Sequence, residues 1–425
     1  MQFKVGDVVM NVLTQEIGSV QAINSARGGV VIYSVLINGR CVPTPEQRLR
    51  LHNLPKQAFK VGDLYYKRLE RGFGVKVSKN GQDPYKFETI EIPTTIEYSG
   101  CVYPVTTIEE YAFEKCSKLS SLIIPDNITT IGYKAFYYCT SLISVSIPIS
   151  VTNIPYGLFV GCHSLVSVSI SDNVTSIGNR AFSGCISLKT IDIPNNITEI
   201  EEKTFENCSS LSSIELPNAL TKIGDWAFSG CSSLESIDIP NTVTWVGDRA
   251  FRSCYALKSI TLPKCMRYIG GGTFHECLSL ENINLPEDIT HLYDYTFAKC
   301  RLLKSIVIPN SVTFLGNSIF SDCKSLVSIK LPNNLNTIRE YAFAGCPLLE
   351  SIDIPDNIKS LDKRAFWGSS IKSIRLPRNV IITTFNIFEQ CESLQKILIP
   401  YGTREQYEQM IYIKNVLNQV ALIEK

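Results

Sequence analysis

The chain has 425 residues, with 41 Lys and Arg against 40 Asp and Glu, so its formal net charge is only +1. This balance argues against a protein that binds nucleic acid through phosphate contacts, and equally against a polybasic membrane anchor. Hydrophobic residues make up 44% of the chain, enough for an extensive core, and no apolar run reaches the roughly 18 residues that a membrane-spanning helix needs. We therefore expect neither nucleic-acid binding nor membrane insertion.

The opening residues, MQFKVGDVVMNVLTQ, contain no basic segment followed by an apolar stretch and a small-residue cleavage site. This pattern differs from that of a secretory signal peptide. We expect a cytoplasmic protein, with the cell surface as the alternative location.

Residues 1–57 contain short apolar segments broken by Gly and Asn, which predicts a small all-β barrel. The VGD turn at Val5–Asp7 resembles the opening of Tudor-like barrels. The motif FKVGD recurs at Phe59–Asp63, and residues 58–108 are predicted to form an N-terminal β cap. In this cap, nine extra residues around IEYSGCVYPV are expected to form a hairpin, because the open end of a stack of strands needs a cover.

Phenylalanine recurs every 23 residues from Phe113 to Phe366, and Phe388 follows after 22, which gives thirteen repeats. A Cys stands three residues after each Phe, with Ser369 as the one exception, and a Leu follows three residues later. The unit reads LxxIxIPxxVTxIGxxAFxxCxx. Such a strict period indicates a repeat protein rather than several globular domains.

Within each unit, LxxIxIP alternates apolar and polar residues, which predicts a short half-buried strand that ends at the Pro. So short a strand has to pair with the same segment of the next repeat, giving a parallel sheet with neighbours about 4.8 Å apart. Thirteen units would span on the order of 60 Å. The Gly, Ala, Phe and Cys positions lie on the return path, and only stacking encloses them.

The unit resembles the BspA-like leucine-rich repeat, a 23-residue class common in bacterial surface proteins, over about residues 85–400. The resemblance implies a curved right-handed solenoid with short parallel strands, which we place at residues 109–400. It implies a protein-binding function, often that of an adhesin, and it does not imply an enzyme.

Residues 401–425 are predicted to form a C-terminal cap. Thr403–Gln406 has capping-box spacing, and Tyr407, Met410 and Ile411 follow at helical spacing. We expect a helix and then a last strand near Val420–Ile423, similar to the YxPxGTxExY tail of related proteins.

The residues offer little for catalysis. Twelve of the 15 Cys belong to the repeat row without any CxxC pair, and we expect them to be reduced, buried thiols. None of the four His lies in a HExxH motif, and Gly270–Gly272 is interpreted as a turn. We expect no catalytic, metal or cofactor site and a chain that is not an enzyme.

Two rows of variable positions are candidates for binding. The acidic row, Asp192, Glu215 and Asp238, follows the inward residue of three successive strands on the concave face. Carboxylates about 5 Å apart repel one another unless a cation relieves them. This row is either an ordinary solvated face or a docking patch for a basic partner or a weakly held cation.

The aromatic row consists of Trp245, Tyr268, His291 and Phe314, five residues after successive strand prolines. Flanking repeats carry polar residues at this position, so we expect it to be exposed. Exposed aromatic clusters are typical of interface hot spots. The alternatives are packing against the N-terminal barrel or a self-contact.

The sequence therefore predicts a non-enzymatic scaffold that binds a protein partner of unknown identity through the concave sheet and the aromatic row. The alternative is a cell-surface adhesin or carbohydrate-binding protein. The oligomeric state is left open.

Overall fold

The protein is seen in a computed structural model, which describes residues 54–70, 74–79, 81, 84–382, 386–409 and 420–425, and the backbone of five strands before them. Those strands are β1 (Val8–Asn11), β2 (Ile17–Asn24), β3 (Ile32–Ile37), β4 (Arg40–Pro45) and β5 (Leu49–Leu51). They form an antiparallel sheet in the order β4-β3-β2-β1-β5. The expected Tudor-like turn at Val5–Asp7 lies outside the described residues.

The next six strands precede the first repeat. They are β6 (Phe59–Val61), β7 (Leu64–Arg68), β8 (Val75–Ser78), β9 (Thr89–Glu91), β10 (Thr95–Tyr98) and β11 (Cys101–Ile108). Strands β10 and β11 form an antiparallel hairpin whose two turn residues, Ser99 and Gly100, have φ values of 52° and 74°. Left-handed residues are what a two-residue hairpin turn requires. Strand β9 pairs in parallel with the first repeat strand, so it begins the solenoid ladder.

The LxxIxIP segments form the first ladder, a series of parallel strands with one Leu, Ile or Val of each strand turned inward. Its strands are β12 (Ser121–Ile123), β14 (Ser144–Ser146), β16 (Ser167–Ser169), β20 (Ser236–Asp238), β22 (Ser259–Thr261), β24 (Asn282–Ile283), β26 (Ser305–Val307), β28 (Ser328–Lys330), β30 (Ser351–Asp353), β32 (Ser373–Arg375) and β34 (Lys396–Ile399). Equivalent residues pair across 23 positions, as in Val145 with Val168. The predicted strand and its register are confirmed.

The return path carries a second ladder, which was not predicted. Its two-residue strands are β13 (Thr130–Ile131), β15 (Asn153–Ile154), β17 (Ser176–Ile177), β18 (Glu199–Ile200), β19 (Lys222–Ile223), β21 (Trp245–Val246), β23 (Tyr268–Ile269), β25 (His291–Leu292), β27 (Phe314–Leu315), β29 (Thr337–Ile338), β31 (Ser360–Leu361) and β33 (Ile381–Ile382). In each, the second residue is buried and the first faces outward.

Glycine governs the continuity of the second ladder. Where the residue after a strand is Gly, its N–H donates to the carbonyl of the preceding repeat, as from Gly224 to Ile200 at 2.7 Å. The close approach excludes a side chain, since a Cβ on Gly224 would lie 2.8 Å from the backbone of Glu201 and Glu202. The glycines that make this bond are Gly132, Gly178, Gly224, Gly247, Gly270 and Gly316.

The second ladder is interrupted where a side chain replaces that glycine. Its breaks fall before β15, β18, β25 and β29, and the residues after these strands are Pro155, Glu201, Tyr293 and Arg339. Asp362 is an exception, because its N–H still donates to Ile338 at 2.9 Å.

The core between the ladders is a column of phenylalanine rings. From Phe113 to Phe388, neighbouring rings are nearly parallel, and Phe228 lies 5.4 Å from both Phe205 and Phe251. Beside this column lie the inward Leu residues and the cysteines, which are buried from Cys116 to Cys346. A single repeat leaves these faces open, so stability comes from stacking.

The C-terminal cap contains α1 (Arg404–Gln409) and β35 (Ala421–Glu424), and β35 pairs in parallel with β34. The predicted capping box is wrong, because the Thr403 N–H donates to the Pro400 carbonyl at 3.3 Å and the Gln406 side chain donates to the Arg378 carbonyl at 3.2 Å, so the two do not bond each other. Instead, the Glu424 carboxylate accepts the N–H groups of Gly402 and Arg404, both at 3.1 Å. Tyr407 is buried, whereas Met410 and Ile411 lie outside the described residues.

Candidate binding surface

The acidic row lies on the outward side of the first ladder, where Asp192, Glu215 and Asp238 are all exposed. Pairing in the first ladder is thin here, since Asp192 and Glu215 are joined only by an isolated β-bridge. Like charges directly opposite each other disfavour strand pairing, but the ladder also lacks pairing between β24 and β26 and between β28 and β30, where no like charges oppose each other. Within the described part of the chain, no ion pair joins these three carboxylates to a cation. The row is therefore a solvated strip of negative charge.

The aromatic row occupies the outward positions of β21, β23, β25 and β27 in the second ladder. Trp245 is 41% exposed and His291 is also exposed, whereas Tyr268 and Phe314 are half-buried. Trp245 and Tyr268 are direct ladder partners, and their rings stack 3.7 Å apart at 10°. Of the four rings expected to be exposed, two are exposed and two are half-buried, and stacking partly organises this surface.

Tyr293, which sequence analysis did not single out, links the two halves of this row. Its ring lies 5.5 Å from Tyr268, 5.8 Å from His291 and 6.1 Å from Phe314. The Arg339 guanidinium carbon covers the far end, 4.5 Å from the centre of the Phe314 ring. Tyr293 could have been noticed in the sequence as a departure from the repeat, because it stands where six other repeats carry the ladder glycine.

Carboxylates border the aromatic rings. Asp248 accepts the N–H of Gly271 at 2.8 Å, and the Tyr268 hydroxyl donates to the same oxygen at 3.4 Å. Burial, followed by the charge of Asp248, raises the pKa of Tyr268 to about 12, so the phenol stays protonated. Asp294 makes the equivalent bond to the N–H of Asn317 at 2.8 Å. These contacts hold both carboxylates at fixed places beside the rings.

The described residues contain no group of three or more His, Cys, Asp or Glu side chains arranged to hold a metal ion. The Nε2 atom of His275 lies 4.0 Å from the Oε1 atom of Glu276. Burial lowers the pKa of His275, so the imidazole ring is neutral near pH 7. Within the same part of the chain, no helix has the length and apolar character needed to cross a bilayer.

A profile described as the BspA type leucine rich repeat region, in six copies, matches residues 84–212, 198–327 and 317–423. Among curated proteins, none matches the chain.

Two solved structures are similar to the chain over most of its length. A leucine-rich repeat protein from Bacteroides ovatus is 28% identical with a TM-score of 0.73, over 86% of this chain and 99% of that one. A leucine rich cell surface protein from Faecalibacterium prausnitzii is 30% identical with a TM-score of 0.62, over 83% of this chain and 97% of that one.

Proposed function

Because the chain belongs to the BspA type leucine-rich repeat family, we propose that it is a non-enzymatic scaffold that recognises a protein partner through the aromatic row. The observation that carries this proposal is the exposed stack of Trp245 on Tyr268. The second ladder accepts Thr, Asn, Ser, Glu and Lys at the same position in other repeats, so the fold does not require rings there. Aromatic area at a surface is favourable when a partner covers it.

The acidic row supports a second contact on the same partner. Unpaired carboxylates at Asp192, Glu215 and Asp238 complement a basic patch, and charges of this kind increase the association rate more than the affinity. The partner we propose therefore presents an apolar surface for the rings, with Lys or Arg residues nearby.

Two variants of the full chain test this proposal by immobilising each and identifying the proteins retained from extracts of the native host. We expect Trp245→Ser with Phe314→Ser to weaken retention of the partner by about 2 kcal/mol or more. Asp192→Asn, Glu215→Gln and Asp238→Asn together should slow association and reduce its dependence on salt. Unchanged retention by the ring variant would exclude the aromatic row.

A cell-surface adhesin is the second candidate. It is favoured by the description of the Faecalibacterium relative as a cell surface protein. Fractionation of the native host separates it from a cytoplasmic scaffold, because an adhesin is removed from intact cells by external protease and a cytoplasmic protein is not.

A further inference from the structure

A pocket of about 750 Å³ lies beside the aromatic row, where one repeat lacks two side chains. Gly271 and Gly272 stand three and two residues before Phe274. The repeats on either side carry Asp248 and Arg249 or Asp294 and Tyr295 at these positions. The two glycines thus leave a notch in two rows of side chains, and the neighbouring side chains become its walls.

One wall of the notch is apolar. It is formed by Tyr268, Tyr293 and Phe314, three rings within 6.1 Å of their neighbours. Tyr293 reaches the notch because it replaces a ladder glycine, and its Cβ lies 3.4 Å from the place that a Cβ on Gly271 would occupy. The notch and the ring that lines it therefore arise from two departures from the repeat pattern in adjacent repeats.

The rest of the lining, the polar wall, is electrically balanced. Asp248 and Asp294 contribute two negative charges, Arg249 and Arg252 contribute two positive charges, and His275 is neutral. A ligand with a net charge would be attracted by one pair and repelled by the other. Uncharged hydroxyl groups both donate to carboxylates and accept from guanidinium groups, so they match this wall.

We propose that the notch binds the pyranose ring of an uncharged glycan. The C–H face of a sugar carries partial positive charge and complements the negative faces of aromatic rings, while its hydroxyls reach the charged wall. The volume lies in the range of roughly 300–1,000 Å³ that is typical of small-ligand sites. It exceeds the space that one side chain of a docking protein would fill.

The polar wall is organised before any ligand arrives. The guanidinium carbons of Arg249 and Arg252 lie 4.9 Å and 5.5 Å from the centre of the Trp226 ring. The Nε of Arg252 is a buried donor that finds no acceptor within the described residues. Donors held in place in this way reduce the entropy lost on binding.

The test is saturation-transfer NMR on the full chain with methyl glucopyranoside, galactopyranoside and mannopyranoside, N-acetylglucosamine and their disaccharides. Each is used at about 10 mM, which nearly saturates a site with a Kd of about 1 mM. We expect transfer from the protein to the ring C–H protons of at least one sugar, and weaker transfer to glucuronate, which is charged. Transfer to none of the neutral sugars would overturn the proposal.

Gly271→Tyr fills the notch with a residue that the same row already holds at Tyr133 and Tyr156. It should lower the affinity for the bound sugar by about tenfold or more. Asn179→Tyr, at the equivalent position of a distant repeat, is the matched control and should bind as the original chain does. If Gly271→Tyr fails to fold, Gly271→Asp restores the residue found in the flanking repeats. If the variant that folds, Gly271→Tyr or Gly271→Asp, still binds the sugar with the original affinity, the sugar site lies elsewhere.

The glycan proposal does not rest on the protein partner. Asp192, Glu215 and Asp238 do not line the notch, so replacing all three by their amides should slow association with the protein partner and leave sugar binding intact. Gly271→Tyr should have the opposite effect, weakening sugar binding and leaving retention of the protein partner intact.

Discussion

The cysteine three residues after each phenylalanine is a hydrogen-bond donor as well as a small buried side chain. The Cys231 Sγ lies 3.2 Å from the carbonyl oxygen of Phe205, 26 residues earlier, and this contact recurs along the row. In the one repeat with serine, the Ser369 hydroxyl donates to the equivalent carbonyl of Phe343. The position therefore suits a small side chain that can donate a hydrogen bond, which explains why Ser369 can replace cysteine there.

Cys231→Ser should retain this bond, whereas Cys231→Val should leave the Phe205 carbonyl without it. Because this carbonyl still accepts the Cys208 N–H at 3.1 Å, we expect the valine variant to lose about 0.5–1.5 kcal/mol of unfolding free energy, the net value of one hydrogen bond, and the serine variant clearly less. Urea unfolding of the two variants measures the difference. A serine variant that is as unstable as the valine variant would show that volume alone governs this position.

Glu276 is the most strongly perturbed carboxylate of the described residues. The Lys299 ammonium donates to it at 2.7 Å and the Ser253 hydroxyl at 2.9 Å, and these bonds lower its pKa from 4.5 to about 2. A pKa lowered by folding contributes stability that is complete above the unfolded value and disappears as the pH falls through the folded value.

Glu276→Gln should accordingly reduce stability by about 1 kcal/mol at pH 7, a modest amount because Lys299 is partly exposed. The deficit should shrink as the pH falls from about 4.5 towards 2, since protonation removes the same charge from the original chain. Denaturant unfolding across this range tests it, with Glu215→Gln as the exposed control. A deficit that is constant with pH would assign it to packing.

At the scale of elements, glycine decides whether the second ladder continues, and two adjacent glycines allow a direct test. A Cβ on Gly270 would lie 2.4 Å from the backbone nitrogen of Asp248, whereas on Gly271 the nearest atom is 3.3 Å away. Gly270→Ala should therefore cost about 1–3 kcal/mol through forced backbone movement. Gly271→Ala should be nearly neutral. Thermal unfolding ranks the two, and equal losses would contradict the role of the ladder glycine.

The period of 23 allowed the first ladder, its register and the buried phenylalanine column to be predicted from sequence, because their apolar positions recur in every repeat. The second ladder was missed because a two-residue strand is too short to show alternation. The thiol bonds were missed because they join residues 26 apart, a spacing that the repeat period hides. The capping box was wrong because the Thr403 N–H bonds the Pro400 carbonyl and the acceptor of the Arg404 N–H, Glu424, lies on a different element.

The surface of the whole molecule was predictable only in part. Trp245, Tyr268, His291 and Phe314 could be aligned from spacing, but Tyr293 and the glycine notch became visible only when side chains were placed in rows across repeats. In a stack of repeats, a local departure remains local, since each repeat contacts only its neighbours. Departures from the repeat pattern therefore mark the places where this surface differs from a plain solenoid.

We propose that two sets of aromatic rings have separate tasks, the inward column holding the fold and the aromatic row remaining free for recognition. The direct test is equilibrium unfolding of Phe228→Ala beside the double variant Trp245→Ser with Phe314→Ser. We expect Phe228→Ala to cost roughly 3–5 kcal/mol, because Phe228 is fully buried between two stacked rings. The double variant should lose less than about 2 kcal/mol, the value of partly exposed ring contacts. A double variant that unfolds as readily as Phe228→Ala would show that the aromatic row is part of the structural core and contradict the claim.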